Sequence, residues 1–339
     1  MGLEALVAKG CNAGRKARAN ARRKAGVFVS AFSIALLLSG CASLFPQTAK
    51  LRDALPADLP QRAELKSVPF FPQTEFQCGP AALATALAAA GARVTPEELV
   101  PQVYLPERKG SLQVEMLAAA RRHGMVSYLL APKFEDLLRE VAAGTPVIVL
   151  QDLSPFGGWH YAVVVGYDYD EGKLILRSGE EERQLLSFPL HELVWMRSAY
   201  WAMVAVPPDR IPASADETRW LASIAALERT GSPSAARTAY AAFLKRWPQN
   251  TGAAIGLANA HYALRELPQA EGVLREAARR DPESVIVLNN LAQTLSDQNR
   301  DEEALPIIER AAAAGGPHAA AVDQTRQAIL GRIAAKRRN

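Results

Sequence analysis

Two side chains far apart in the sequence have the types needed for nucleophilic acyl chemistry. Cys78 stands in the run Phe70-Phe71-Pro72-Gln73-Thr74-Glu75-Phe76-Gln77-Cys78-Gly79-Pro80-Ala81-Ala82-Leu83. Pro80 suits a first helical turn and the Ala and Leu residues after it are strong helix formers, so the thiol is expected at a helix N-terminus. There the positive end of the helix dipole is expected to favour the thiolate and lower the thiol pKa. His160 opens the apolar run Tyr161-Ala162-Val163-Val164-Val165-Gly166 directly after Gly157-Gly158-Trp159. An imidazole at the start of a strand can face a neighbouring helix end. It would take the thiol proton, let the thiolate attack a carbonyl, and then protonate the leaving amine. Of the other histidines, His123 ends an amphipathic helix, His191 is expected in a polar turn, and His261 and His318 lie in a helical C-terminal region.

The elements that must position this pair are legible as periodicities. Helices are predicted over Cys78 to Ala90, from the Thr95-Pro96-Glu97-Glu98 cap, over Leu112 to His123 with Ser111 as cap, and over Phe134 to Ala143. Strands are predicted over Pro146 to Leu150, His160 to Tyr167, Lys173 to Arg177 and Tyr200 to Val206. Helices precede strands, which indicates an α+β domain rather than alternating βαβ units.

The charge of +4 misleads, because seven Lys or Arg and one acid, Glu4, fall in the first 40 residues. Removing them from totals of 39 basic and 35 acidic residues leaves 32 and 34. The near-neutral body carries no nucleic-acid footprint. The basic segment and the apolar run Val27 to Leu38, too short to span a bilayer, are expected to form a signal peptide over residues 1–40. Leu38-Ser39-Gly40-Cys41 resembles the lipobox of bacterial lipoproteins, which implies lipidation of Cys41 and a membrane anchor. Ala42 and Ser43 resemble the outer-membrane sorting pattern, so the expected location is the outer membrane facing the periplasm. With Cys11 removed and Cys41 lipidated, Cys78 becomes the sole free thiol of an exported chain, which favours a chemical role. Residues 41–66, Pro-, Ala- and polar-rich, are read as a tether. No metal cluster, phosphate-binding loop or nucleotide fingerprint is present, and no cofactor or metal is expected.

Gln73, Cys78-Gly79-Pro80-Ala81 and His160-Tyr161-Ala162-Val163-Val164-Val165-Gly166 together resemble the papain-fold cysteine peptidases of the bacteriocin-processing type, in their lipoprotein branch with C-terminal tetratricopeptide repeats. The resemblance covers most of residues 68–206 and implies a papain-like domain over 67–208. It implies Cys78 as nucleophile, His160 as general base, and Gln73 as an oxyanion donor beside the Cys78 N–H. Family members place Asp or Asn at the end of the strand after the histidine strand; here the positional match is Ser178, a weaker orienting acceptor. Asp168 and Asp170 could serve only if the intervening loop folded back.

From Ala213 the composition turns Ala-, Leu- and Arg-rich. A lag of 34 residues aligns Ala236, Ala270 and Ala304, then Tyr240, Leu274 and Ile308, and Pro248 with Pro282. This period resembles the tetratricopeptide repeat, with Trp220 where that motif favours Trp, while Ile224 and His261 depart from it. Three repeats are expected at 217–250, 251–284 and 285–317, with Ala319 to Lys336 as a capping helix, within a repeat domain over 213–339. Two functions stay open. One is a membrane-anchored cysteine peptidase or amidase, or an acyl transferase using the same residues, whose repeat groove recruits a peptide or protein substrate or partner. The other is a peptidase-like lipoprotein acting as a protein-binding scaffold.

Overall fold

The computed structural model describes residues 44–73, 77–154 and 158–338. The expected signal peptide, Cys11, the Cys41 lipidation site and Gly157 lie outside them. The chain divides into two compact units, one ending at Leu55 and one running from Pro56 to Asn339. In the first, helix α1 (Pro46–Asp53) opens with Pro at its first turn and closes with Lys50 and Arg52 near its C-terminus, where cations oppose the helix dipole favourably. No described helix is long and apolar enough to cross a membrane.

The second unit begins with strand β1 (Arg62–Glu64), inside the stretch read as tether. Three residues of Arg-Ala-Glu carry no strand signal of their own. They pair antiparallel with the far end of β6 (Trp159–Asp168), Ala63 opposite Tyr167 and Glu64 opposite Gly166. A Cβ on Gly166 would lie 2.7 Å from the Ala63 carbonyl oxygen, so glycine is what lets β1 approach. The same residue marks a register shift against β7 (Lys173–Ser178).

The sheet has seven strands. Along its main path β4 (Val126–Leu129) pairs with β9 (Ala202–Val206), then come β5 (Val147–Asp152), β6, β7 and β8 (Glu181–Ser187), with β1 on β6. All four strands expected from sequence are present within a few residues of their expected bounds; β1, β4 and the exposed, polar β8 were not foreseen. Helix α2 (Cys78–Ala89) is buried from Gly79 to Leu87, as its continuous apolar composition demands. It packs with Tyr161, Val163 and Val165 of β6 and Ile148 and Met203 of the neighbouring strands in one core. Helix α3 (Pro96–Val103) opens with a complete capping box between Thr95 and Glu98.

Between α3 and α4 (Gln113–Arg122) lies a short hairpin, β2 (Tyr104–Leu105) and β3 (Gly110–Ser111). Ser111, expected to cap α4, is instead the end of β3, and the N-cap position belongs to Leu112 without a side-chain cap. Pairing with Tyr104 and a hydrogen bond from the Tyr161 hydroxyl to its carbonyl, 3.2 Å, hold Ser111 extended.

The alternate strand positions Val147, Val149, Ala162 and Val164 are buried as well, beneath α5 (Phe134–Ala142) and α6 (Phe188–Met196). His191 belongs to α6 rather than to a polar turn, because Ser187-Phe188-Pro189 starts a helix whose buried face it joins. Its ring sits 5.4 Å from Phe134 and 5.2 Å from Trp195, fully excluded from water.

Three antiparallel helix pairs follow: α7 (Glu217–Glu228) with α8 (Pro233–Arg246), α9 (Thr251–Ala263) with α10 (Leu267–Arg280), and α11 (Val285–Ser296) with α12 (Asp301–Ala314), before α13 (Ala319–Lys336). The lag-34 positions Ala236, Ala270 and Ala304 are all fully buried. Gly256 of α9 fits against the Tyr240 ring, where a Cβ would come within 2.3 Å of ring carbon. The connection to the sheet is polar and specific. Ser214 donates its N–H and hydroxyl to the Glu140 carboxylate at 2.7 and 2.6 Å, and Trp220 meets the Tyr128 ring edge-on at 5.8 Å.

Candidate active site

Cys78 is the first residue of α2, a free, partly exposed thiol. The helix-start position is as expected, but the thiol pKa is not. Burial pushes it up, and the backbone N–H groups of Tyr161, Gly79 and Cys78 itself oppose this without reversing it. Desolvation outweighs the helix terminus because the sulfur sits against the α2–sheet core rather than in water.

His160 is the second residue of β6, and its Nε2 lies 3.0 Å from Ser178 Oγ at the end of β7. Ser178 is buried, 6% exposed, and a shift in the β7–β8 register beside it accompanies the tight turn through Gly179, whose φ is +61°. With the proton on Nε2, the imidazole donates to Ser178 and leaves Nδ1 as the basic nitrogen. Burial depresses the His160 pKa, so the imidazole and the thiol are both driven toward their neutral forms. No hydrogen bond joins them among the described residues, and the groups acting on the sulfur are backbone N–H groups of α2 and β6. Asp168 and Asp170 do not fold back; both engage Arg62, at 3.0 and 3.4 Å.

Gln73 is placed beside this turn by its backbone, whose N–H donates to the Gly179 carbonyl at 3.1 Å. Its side-chain amide has no hydrogen-bond partner among the described residues, which stop at Gln73 and resume at Gln77. Arg177, buried next to Ser178, donates to the Val68 carbonyl at 3.1 Å and ties the start of the same segment to β7. The fold therefore brings Cys78, His160, Ser178 and the Gln73 backbone to one end of the sheet.

A cavity of about 770 Å³ opens on Cys78. Tyr161 and Leu150 form part of its wall, and the β2–β3 hairpin with Arg108 and Lys109 and the segment after α6 with Arg197 form its rim. Sequence reasoning missed these rim residues. Pro106 and Lys109-Gly110 are a turn signature, but nothing local shows that this turn is carried to the thiol.

Residues 65–179 match the family described as Peptidase_C39 like family, and residues 221–285 and 255–320 match the tetratricopeptide repeat. A comparison with curated proteins returned no match. Among solved structures, a protein described as a C39-like peptidase from Bacillus anthracis is 17% identical over 43% of this chain and 98% of that one, with a TM-score of 0.37. The Sgt2 tetratricopeptide-repeat domain of Aspergillus fumigatus is 18% identical over 36% of this chain and 82% of that one, TM-score 0.34. The Yersinia enterocolitica chaperone SycD, solved with a peptide of the translocator YopD, is 15% identical over 34% and 95%, TM-score 0.32. By the two family models, the α+β domain is similar to the C39-like peptidases and the helical region after it is similar to the tetratricopeptide repeat.

Proposed function

We propose that the α+β domain is a cysteine peptidase that hydrolyses peptide or amide bonds through Cys78 and His160, on a protein anchored through Cys41 to the outer membrane and facing the periplasm. The observation that carries this reading is the 3.0 Å contact of His160 Nε2 with Ser178 Oγ beside a helix-start thiol that opens on a cavity. Ser178 holds the ring and leaves Nδ1 to accept the thiol proton. The thiolate attacks the substrate carbonyl carbon, and the Cys78 N–H and the Gln73 amide stabilise the oxyanion. Collapse of this intermediate expels the amine, which takes its proton from the imidazolium, and water then hydrolyses the thioester to restore the thiol. Because burial favours the neutral pair, the thiolate forms during the encounter with substrate rather than in the resting protein. The repeats recruit a peptide or protein through their concave face.

One observation favours the scaffold alternative: thiol and imidazole are not hydrogen-bonded to each other among the described residues. An uncharged electrophile separates the two. Iodoacetamide should label Cys78, read by peptide mapping, with a rate that climbs through a pH above that of an ordinary thiol. His160→Ala should slow labelling at neutral pH several-fold. A rate indifferent to His160, or an unreactive Cys78, would sink the peptidase reading.

A further inference from the structure

Arg177 is a charged side chain at a position where an apolar one would serve the fold. It lies on β7 opposite Val163 of β6 and is only 7% exposed. Its guanidinium donates to two main-chain carbonyls, that of Glu182 on β8 and that of Val68, the latter at 3.1 Å. Its Nε is sealed from water with no acceptor among the described residues. The Glu182 carboxylate is 4.0 Å away and 69% exposed, so it offsets little of the buried charge. Burying a charge on these terms is costly, and a well-packed apolar residue in its place is often neutral or stabilising. Stability therefore does not account for Arg177.

What Arg177 holds does account for it. Val68 opens the segment that ends at Gln73, and the other end is held by the same β7–β8 turn, where the Gly179 carbonyl accepts the Gln73 N–H at 3.1 Å. Pro69 and Pro72 lie between the two clamps, and their fixed φ narrows the paths this stretch can take. Upstream, the Leu65 N–H donates to the Val165 carbonyl at 2.8 Å and ties the chain to β6. Ser178, between Arg177 and Gly179, contacts the His160 imidazole at 3.0 Å. Three successive residues thus reach both the segment that carries Gln73 and the ring beside the thiol. The Gln73 amide has no partner of its own among the described residues, so the backbone clamps set where it sits.

We propose that Arg177 is a positioning residue for the oxyanion donor: it holds the Val68 to Gln73 segment against the β7–β8 turn so that the Gln73 amide meets the negative charge that develops during attack by Cys78. This rests on the reading of Cys78 and His160 as the reacting pair and of Gln73 as a donor. A donor stabilises an oxyanion only where the charge appears, and a displacement of about 1 Å can cost on the order of a hundredfold in rate. Arg177 acts through Gln73, and the basicity that activates the thiol stays with His160.

The test uses the full-length chain and two reagents that differ in whether an oxyanion forms. With 4-nitrophenyl acetate the sulfur bonds to the carbonyl carbon, the oxygen takes the charge, 4-nitrophenolate leaves with the ester electron pair, and the thiol proton passes to the imidazole. With iodoacetamide the sulfur displaces iodide at a saturated carbon and no oxyanion arises. The ratio of acylation to alkylation at Cys78, read by peptide mapping, cancels changes in thiol access and activation common to both. Arg177→Met should lower this ratio by roughly tenfold, toward that of the denaturant-unfolded chain, while the thermal midpoint stays level or rises. Arg177→Lys, which keeps the charge but loses the fork that reaches two carbonyls, should fall between wild type and Arg177→Met. It carries the test alone if Arg177→Met does not fold. Gln73→Ala should lower the ratio at least as far, and adding Arg177→Met to it should change the ratio less than about twofold, because both act through one donor. A wild-type ratio in the folded Arg177 variant, or effects of Arg177 and Gln73 that multiply, overturns the proposal and leaves the Cys78 and His160 reading standing. A Cys78 inert to both reagents overturns both.

Discussion

The sheet half and the repeat half of the second unit are built by opposite strategies. In the sheet half the decisive contacts join residues about a hundred positions apart: Arg177 with Val68, Tyr167 with Pro60, Arg183 with Glu64. Polar groups sit deep in both halves, Gln151, Glu140, Ser178 and His191 here and Thr294, Ser296 and Asp301 in the repeats, so the contrast lies in how far apart in sequence the partners are. In the repeat half the side-chain contacts join neighbouring helices, such as Arg237 with Glu266 and Arg300 with Glu271, and the burial pattern recurs every 34 residues. A sheet closed by distant contacts should lose structure as a whole, whereas stacked repeats are nearest-neighbour assemblies that open in steps. The same difference explains where chemistry can be placed. Only the sheet half brings a helix start, a strand start and two turns from distant sequence to one point.

The comparison is most exposed to core truncation. Trp195→Ala, which empties the buried site among Phe134, His191 and Tyr200 and removes the indole bond to the Trp201 carbonyl, should cost about 3–5 kcal/mol and expose the whole sheet in hydrogen exchange. Leu295→Ala, in the last repeat, should cost about 2–5 kcal/mol and release α11 to α13 first, leaving amide protection in β5 and β6 intact. If Leu295→Ala unprotects β6 to the same extent, the contrast between the halves fails.

Acid should act through the sheet half. Burial lowers the His191 pKa to about 3, from an ordinary 6.5. The unfolded chain takes up a proton as pH falls below 6.5 while the folded imidazole does not. Stability should therefore drop by about 1.4 kcal/mol per pH unit in that window from this residue alone. His191→Gln should remove that slope in denaturant titrations between pH 6.5 and 4. An unchanged slope would remove His191 from the account.

The smallest effect concerns the join. Burial raises the Glu140 carboxyl pKa, while the two Ser214 donors pull it the other way. A carboxyl whose folded pKa exceeds its unfolded value stabilises at acid pH and loses that contribution as pH rises through the folded pKa. Glu140→Gln keeps an oxygen for Ser214 and removes the buried charge. The midpoint of thermal unfolding at pH 7 should stay level or rise by an amount equivalent to less than about 1 kcal/mol. A clear fall would show that the ionised carboxylate itself holds the join.

Much of the repeat half was legible because its packing repeats in sequence. Ala236, Ala270 and Ala304 occupy equivalent buried positions, and the capping helix spans Ala319 to Lys336 as expected. In the sheet half, the apolar strands β5, β6, β7 and β9 were legible from their own composition, as was α2. β1 and β8 were not, because short or polar strands exist only through the partner they pair with. The Cys78 and His160 positions, at a helix start and a strand start, were legible from local signals.

What the amino-acid sequence determined by itself was therefore everything with a local or periodic cause: the helix that begins at Cys78, the strand that His160 enters, and the 34-residue helical period. What only the tertiary structure decided was what each of those groups meets. Ser178 reaches His160 through the pairing of β6 with β7 and the turn that follows it. The thiol pKa rises because the fold desolvates the sulfur, against the dipole its own helix supplies. A basic hairpin with no chemical signature reaches the cavity because glycine at 79 leaves room for Ser111. Local propensity acts within a few residues, whereas desolvation and juxtaposition are set by chain segments that no local window contains.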